Sequence, residues 1–207
     1  MTWDILNFIG TIAFAISGTI VAMEGEYDLL GVYFLDLVTA FGGGAIRNLL
    51  IGVPVSALWD QGLLFLSAIT VITIVFIFPM KTLKHWEKWG LYTYAIGLSA
   101  FAIQGALYAT EMNHPLSATL VAALLTGSGG GVLRDVLAGR KPLLLQTKDI
   151  YGVWAILAGL FVGIGVTNQS WEPYLLFIAI VVLRVLTVMY NWKLPFRSIK
   201  AEQVSQR

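Results

Sequence analysis

Long apolar runs separated by short polar segments make up most of this chain. A helix needs about 20 mostly apolar residues to cross the hydrocarbon core of a bilayer. Seven runs of that kind predict seven transmembrane helices, at residues 5–23, 29–51, 61–79, 89–110, 115–134, 150–167 and 173–190. The first run has no Lys or Arg before it and no clear cleavage site, so we interpret it as a retained helix rather than a signal peptide.

The basic residues lie on one side of these seven spans. Seven spans place the two chain ends on opposite sides of the membrane, and the amino-terminal end and the second, fourth and sixth loops contain no Lys or Arg. The other side carries Lys81, Lys84, Lys88, Arg140, Lys141, Lys148, Lys193, Arg197, Lys200 and Arg207. Cytoplasmic loops of membrane proteins carry the excess of positive charge. This pattern predicts an inner (plasma) membrane protein with its amino terminus outside and a cytoplasmic tail at 191–207.

The composition supports a surface that faces lipid. Hydrophobic residues make up 57% of the chain and charged residues 12%, with a mean hydropathy of +0.78, whereas a soluble domain carries roughly 25% charge. The net charge of +1 gives no support for nucleic-acid binding, and the absence of cysteine excludes disulfides and thiolate chemistry. Neither a phosphate-binding glycine loop nor a Ser/His/Asp motif is present, so we expect no enzymatic activity and no cofactor.

An internal duplication is the strongest signal in the sequence. A shift of 87 positions aligns residues 10–52 with 97–139 without a gap, and it superimposes GGGAIRNLLIG, which begins at Gly42, on GGGVLRDVLAG, which begins at Gly129. The chain then forms a single membrane domain, 1–207, in which repeat 1 covers 5–80, repeat 2 covers 89–168 and a seventh helix covers 173–190. Each repeat has three spans, an odd number, so the second copy is inverted. Functional sites of inverted repeats usually lie at the repeat interface near the midplane.

Three consecutive glycines weaken a helix, because each costs about 1 kcal/mol relative to alanine in a helix interior. We therefore predict that the second and fifth helices are broken at Gly42, Gly43, Gly44 and at Gly129, Gly130, Gly131. Carbonyls freed by the breaks, near Thr39, Gly42, Thr126 and Gly129, would then hold a monovalent cation. The alternative is that the glycines allow two membrane helices to pack closely.

Ionisable residues inside membrane spans usually face an interior path or pair with one another. The sequence places several of them near the glycine motifs, and we expect them to line a hydrophilic conduit with neighbouring polar groups: Ser17, Asp36, Thr39, Arg47, Asn48, Gln104, Thr126, Ser128, Arg134 and Asp135. Alternatively, both arginines snorkel to the interfaces or pair with Asp36 and Asp135. Arg184 is interpreted as a snorkelling residue or an inter-helix contact. His85 and His114 lie too far apart in sequence to suggest a metal pair, and the acidic turn of Glu24, Glu26 and Asp28 is interpreted as a solvated loop.

Seven spans, an inverted 3+3 duplication and a GGG-x-x-R-[N/D] motif in the second helix of each repeat resemble the prokaryotic trimeric intracellular cation (TRIC) channel family. That family overlaps a group of bacterial membrane proteins described as glycine transporters. The resemblance covers roughly residues 5–190. It implies a homotrimer with one pore in each subunit, formed where the second and fifth helices kink at their glycines, and it implies conduction of potassium and also sodium. It also implies that the partners are membrane lipids and permeant ions.

The residues and the resemblance together predict a passive channel for monovalent cations. A secondary transporter of a small solute such as an amino acid is the main alternative, because inverted repeats and broken helices also occur in alternating-access carriers. A non-transporting membrane scaffold is a third possibility, and it would leave the polar midplane residues without a role.

Overall fold

The computed structural model describes residues 2–77, 86–146, 150–167 and 169–195. The described part is helical and contains seven α-helices, as the hydropathy pattern predicts. The end of the third predicted span and the tail beyond residue 195 lie outside it. So do seven residues named above: Lys81, Lys84, His85, Lys148, Arg197, Lys200 and Arg207. The helices are α1 (Thr2–Glu24), α2 (Leu29–Ile51), α3 (Gly62–Ile77), α4 (Trp86–Glu111), α5 (Leu116–Leu137), α6 (Tyr151–Gly163) and α7 (Glu172–Met189).

Local sequence explains where the second helix of each repeat begins and ends. The side chain of Asp28 accepts a hydrogen bond of 2.7 Å from the backbone N–H of Gly31 and so caps the start of α2. Pro115 precedes α5, where a missing backbone N–H costs nothing. After the helices, Gly52 and Gly139 both have positive φ, 79° and 67°, which glycine adopts without strain.

Helices α1 and α4 cross in an antiparallel manner, and their contacts show the pseudo-two-fold relation between the repeats. A Cβ atom on Gly10 would lie 2.8 Å from the ring of Phe101, and Gly97 lies against Phe14 in the same way. Each residue of the second contact is 87 positions away from its counterpart in the first. The rings of Phe14 and Phe101 meet edge to face, with centroids 5.1 Å apart. The duplication in the sequence is therefore an inverted repeat in space.

The glycine motifs bring α2 and α5 together and do not break them. Both helices continue through all three glycines, so the predicted breaks are wrong. Gly43 lies against the carbonyl oxygen of Thr126, and Gly130 lies against the carbonyl oxygen of Thr39, so that a Cβ on either glycine would collide with backbone. Close packing compensates for the weak helix propensity of glycine, since the two backbones can approach only where side chains are missing.

The remaining helices surround this four-helix core of α1, α2, α4 and α5. Helix α3 packs against α1 and α2, α6 packs against α4 and α5, and α7 packs against α4 and α6. Arg184 of α7 is fully buried, which favours the inter-helix interpretation over snorkelling. Many large apolar side chains on the outside are exposed, such as Leu63 and Ile77 of α3, as expected for helices that contact lipid. Five of the seven helices are long and apolar enough to span a bilayer, and α3 and α6 are shorter apolar helices.

Candidate functional site

Two cavities with charged and polar residues in their linings lie toward opposite ends of the four-helix core. The larger one, which we call the Arg134 cavity, has a volume of about 180 Å³, enough for several water molecules. The smaller one, which we call the Arg47 cavity, has about 20 Å³ and is close to the size of a single water molecule. The polar and charged residues that line the first are Ser17, Glu24, Tyr94, Arg134, Asp135, Arg140, Lys141 and Gln146, and those that line the second are Asn7, Arg47, Gln61, Gln104 and Thr126.

The linings of the two cavities share three corresponding positions of the two repeats. Arg134 is the counterpart of Arg47, Ser17 that of Gln104, and Tyr94 that of Asn7, each at an interval of 87 residues. Because α2 and α5 are antiparallel, the two arginines follow their glycine motifs in opposite directions. The pseudo-two-fold relation thus turns one sequence motif into two cavities at opposite ends of the core.

Arg134 is held by partners from three helices. Its Nε and Nη2 atoms donate to Oδ1 of Asp135, at 2.9 and 2.7 Å, and its Nη1 donates to the hydroxyl of Ser17 at 2.9 Å. The guanidinium also lies 4.9 Å from the ring centre of Tyr94. Both members of the Arg134–Asp135 ion pair are buried, with side chains 3% and 5% exposed. Of the alternatives considered for Arg134, the structure shows pairing with Asp135.

Arg47 adopts the same bent-back conformation with a different partner. Its Nε and Nη2 atoms donate to Oδ1 of Asn48, at 3.0 and 2.7 Å, and the guanidinium lies 4.1 Å from the ring centre of Tyr108. The residue is 2% exposed. Such burial excludes snorkelling to the surface, and within the described part of the chain no carboxylate lies within ion-pair distance of this arginine.

Asp36 lies fully buried between α1 and α2, outside the lining of either cavity. Its Oδ2 contacts the hydroxyl of Thr19, and its Oδ1 lies against Gly18 without a hydrogen-bond partner. The Thr19 hydroxyl also lies 2.8 Å from the carbonyl oxygen of Ala15. A threonine hydroxyl has a single hydrogen, so it cannot donate to both oxygens at once. The structure does not pair Asp36 with either Arg47 or Arg134.

Three predicted lining hydroxyls are turned toward the backbone of their own helices. Thr39 donates to Leu35 at 2.7 Å, Thr126 donates to Ala122 at 2.6 Å, and Ser128 donates to Leu124 at 2.5 Å. A hydroxyl that gives its hydrogen to a carbonyl in this way presents only lone pairs to any other neighbour. Such oxygens suit a cation better than an anion.

Polar contacts between the two repeats stabilise the ends of the core. On the side of the Arg134 cavity, Arg140 forms a 2.6 Å ion pair with Glu24, and the hydroxyl of Tyr27 donates to the carbonyl of Leu137. The acidic turn is thus partly engaged rather than wholly solvated. On the other side, Nε2 of His114, the counterpart of Tyr27, lies 3.0 Å from the carbonyl oxygen of Ile51.

Some predicted residues do not lie where the prediction expects them. The carbonyl oxygens of Thr39 and Thr126 lie against Gly130 and Gly43 of the facing helix. A cation site at those carbonyls stays a prediction. Sequence reasoning missed two aromatic residues, Tyr94 and Tyr108, which cover the arginines. It also missed Thr19, the partner of Asp36. Only Thr19 carried a signal in the sequence, since it directly follows Gly18, which is identical to its counterpart Gly105 in the second repeat.

Comparisons with known proteins agree with this architecture. Residues 4–80 and 91–167 each match the family model described as Glycine transporter, and the second match begins 87 positions after the first, from 4 to 91. The UPF0126 membrane protein YvgT of Bacillus subtilis is 65% identical over 98% of this chain and 100% of its own length. A TRIC cation channel solved to explain conductance superimposes with a TM-score of 0.82 at 35% identity, over 95% of this chain and 97% of the other. The TRIC trimeric intracellular cation channel orthologue from Rhodobacter sphaeroides has a TM-score of 0.82 at 28% identity, over 92% and 98%.

The fold and its paired cavities define a multi-pass, inverted-repeat membrane protein with the architecture of TRIC cation channels. The chain belongs to the Glycine transporter family, and its 65% identity to YvgT also places it among the UPF0126 membrane proteins. This family and this fold are those of membrane channel proteins and not of enzymes.

Proposed function

We propose that this protein is a passive channel for monovalent cations, potassium and also sodium. The observation that carries the proposal is the pair of cavities, each with a buried arginine in its lining, at positions related by the pseudo-two-fold axis, in a chain that shares the fold of TRIC cation channels. The Arg47 cavity is lined in part by Gly44 and Thr126, at the contact between α2 and α5, and the Arg134 cavity reaches α5 at Arg134 and Asp135. A path through the core between these points would join the two cavities. The path runs within each subunit, between the two repeats.

The buried hydroxyl and carboxyl groups of the core favour cations over anions. Thr39, Thr126 and Ser128 present hydroxyl lone pairs, because their hydrogens are donated to their own helices. The carboxyl groups of Asp36 and Asp135 are buried as well, both toward the Arg134 end of the core. The chain has no repeated ring of carbonyls like that of a potassium filter, so we expect weak discrimination between potassium and sodium.

The path in the described conformation is narrow at the glycine contact. Gly43 and Gly130 touch the backbone of the facing helix, and the Arg47 cavity has room for about one water molecule. Conduction therefore requires α2 and α5 to separate or bend at their glycine motifs. Glycine is the residue that permits such a change with the smallest steric cost.

The proposed assembly is a homotrimer in the inner membrane, with the amino terminus outside and the Arg134 cavity open to the cytoplasm. The trimer is supported by the trimeric orthologue with the same fold. The orientation is supported by the basic residues of the loops, which include Arg140 and Lys141 at the mouth of the Arg134 cavity.

A planar-bilayer recording with purified protein tests the function. With asymmetric potassium chloride and no organic solute, we expect discrete unitary currents that reverse near the potassium equilibrium potential. Replacement of potassium by sodium should leave currents of comparable size. A silent bilayer, from protein that is trimeric and folded in detergent, would contradict the proposal.

One observation supports a carrier as the second candidate. The Arg134 cavity combines cationic and anionic side chains in about 180 Å³, which suits a small zwitterion such as an amino acid, and the matching family model carries the description Glycine transporter. A carrier would show saturable uptake of glycine into liposomes that depends on an ion gradient. It would show no unitary currents.

A further inference from the structure

The two arginine motifs are alike in conformation and differ in charge. In each, the arginine bends back so that Nε and Nη2 donate to Oδ1 of the residue that follows it. In repeat 2 that residue is Asp135, and the buried pair is neutral. In repeat 1 it is Asn48, whose amide brings no charge to balance Arg47. The inverted repeat therefore places a neutral pair at one end of the core and a single positive charge at the other.

The local backbone explains why each repeat has its own residue. Asp135 uses its second oxygen, Oδ2, to accept a 3.0 Å hydrogen bond from the backbone N–H of Leu143. Asn48 instead points its Nδ2 toward the carbonyl oxygen of Pro54, at 3.5 Å. The side chain of Asn48 therefore offers a donor to the loop after α2, and the side chain of Asp135 offers an acceptor to the loop after α5. The difference in charge is thus built into the loops that follow the two helices.

The positive charge at Arg47 acts on ions more strongly than a surface charge would. The residue is 2% exposed, and buried charges are screened by salt much less than exposed ones. Arg140 and Lys141 also add positive charge at the rim of the Arg134 cavity, but both are exposed and Arg140 is paired with Glu24. The unbalanced buried charge therefore lies at the Arg47 end.

We infer that Asn48, by leaving Arg47 without a countercharge, makes conduction through this protein asymmetric, so that cations enter less readily from the Arg47 end than from the Arg134 end. This inference rests on the proposed channel function and adds to it the residue that sets the direction of easier flow. A unit charge some 10 Å from a permeant ion, in a medium between protein and water, changes ion occupancy by roughly two- to tenfold.

Single-channel recordings in symmetric potassium chloride test the inference through the ratio of currents at equal and opposite voltages. For the unmodified protein we expect a ratio of about two or more, with the smaller current carried by cations that enter at the Arg47 end. In 1 M salt, where the screening length is about 3 Å, the exposed rim charges lose their influence and the ratio should persist.

Two variants remove the unbalanced charge by different routes. Asn48→Asp supplies a countercharge, and Arg47→Gln removes the arginine, so both should bring the ratio close to one by raising the smaller current. Asn48→Ser is the matched control, because it alters the same contact without changing the charge, and it should keep the ratio of the unmodified protein. The exchange Asn48→Asp with Asp135→Asn should reverse the direction of easier flow.

The outcomes separate the inference from the function on which it rests. Unitary currents whose ratio is near one in the unmodified protein, or unchanged in both Asn48→Asp and Arg47→Gln, would overturn the inference and leave the channel intact. A silent bilayer from folded, unmodified trimer would overturn the channel function and the inference with it. Should Asn48→Asp fail to fold, Arg47→Gln carries the same charge change and decides the matter.

Discussion

Gly43 of α2 lies directly against the backbone carbonyl oxygen of Thr126 in α5, and its counterpart Gly130 lies in the same way against Thr39. The two contacts are reciprocal across the pseudo-two-fold axis. A side chain at either glycine would meet backbone, which cannot move aside as a flexible side chain can. The central glycine of each motif therefore determines how closely the two repeats approach.

Alanine substitutions at different glycines of the two motifs should have opposite effects on stability. Gly43→Ala and Gly130→Ala force α2 and α5 apart, so we expect each to lower thermal stability in detergent by about 1–3 kcal/mol, the usual cost of overpacking. A Cβ at Gly44 would find its nearest neighbours at an ordinary 3.8 Å, and alanine is the better helix former. Gly44→Ala should therefore be neutral or stabilising by up to about 1 kcal/mol. Equal losses at positions 43 and 44 would contradict the packing role.

The glycines that end α2 and α5 are required for their backbone conformation and not for space. A Cβ at Gly52 or Gly139 would contact nothing within 4 Å, but both residues have positive φ, 79° and 67°. Gly52→Ala and Gly139→Ala should each cost about 1 kcal/mol of stability, because L-residues are strained there. Gly62, which also has open space but no positive φ, provides the control, and Gly62→Ala should cost nothing. Unfolding midpoints of the three variants in the same detergent decide the comparison.

Ser17 connects the buried Arg134 of repeat 2 to α1 of repeat 1. Its hydroxyl accepts from Arg134 at 2.9 Å and donates to the carbonyl of Gly90 at 3.2 Å. Ser17→Ala should lower stability by about 1.5–3 kcal/mol, because a charged donor loses a partner in a buried position.

The control for Ser17 is Ser99, a buried serine whose hydroxyl bonds only to its own helix, at 2.8 Å to Ala95. Ser99→Ala should cost about 1 kcal/mol or less. Melting curves that rank the two variants in the reverse order would show that Arg134 does not depend on Ser17.

We expect Thr19 to contribute to stability, because its hydroxyl is the hydrogen-bond partner of Asp36 among the described residues. Thr19→Val keeps the shape of the side chain and leaves the buried carboxyl without a partner, so we expect a loss of about 1–3 kcal/mol. Thr70→Val, at an exposed hydroxyl that bonds only to Leu66, should change stability by less than about 0.5 kcal/mol.

A double variant distinguishes this pairing from a simple packing effect. Replacing both partners removes the unsatisfied group, so Thr19→Val combined with Asp36→Ala should cost less than the sum of the two single changes. Additive losses in thermal unfolding would show that the two residues act independently.

The sequence was sufficient for the seven helices and for the inverted repeat, because both depend on properties that are visible along the chain. Membrane spans require long apolar runs, and the shift of 87 positions that aligns the motifs also relates Gly10–Phe101 to Gly97–Phe14 in space. It was not sufficient for the glycine motifs. Helix propensity indicated breaks at Gly43 and Gly130, whereas the facing helix supplies the packing that keeps both helices continuous.

The sequence by itself also indicated an interior location for Asp36, because a carboxyl group within an apolar span is costly in lipid. For Arg47 and Arg134 it left snorkelling open, and the structure shows both buried. Only the tertiary structure decided their partners. Hydrogen bonds depend on the rotation and spacing of neighbouring helices, so Arg134 pairs with Asp135 and Ser17, and Asp36 contacts Thr19 instead of an arginine. The periodicity of one helix contains no information about the side chains that a second helix will bring to meet it.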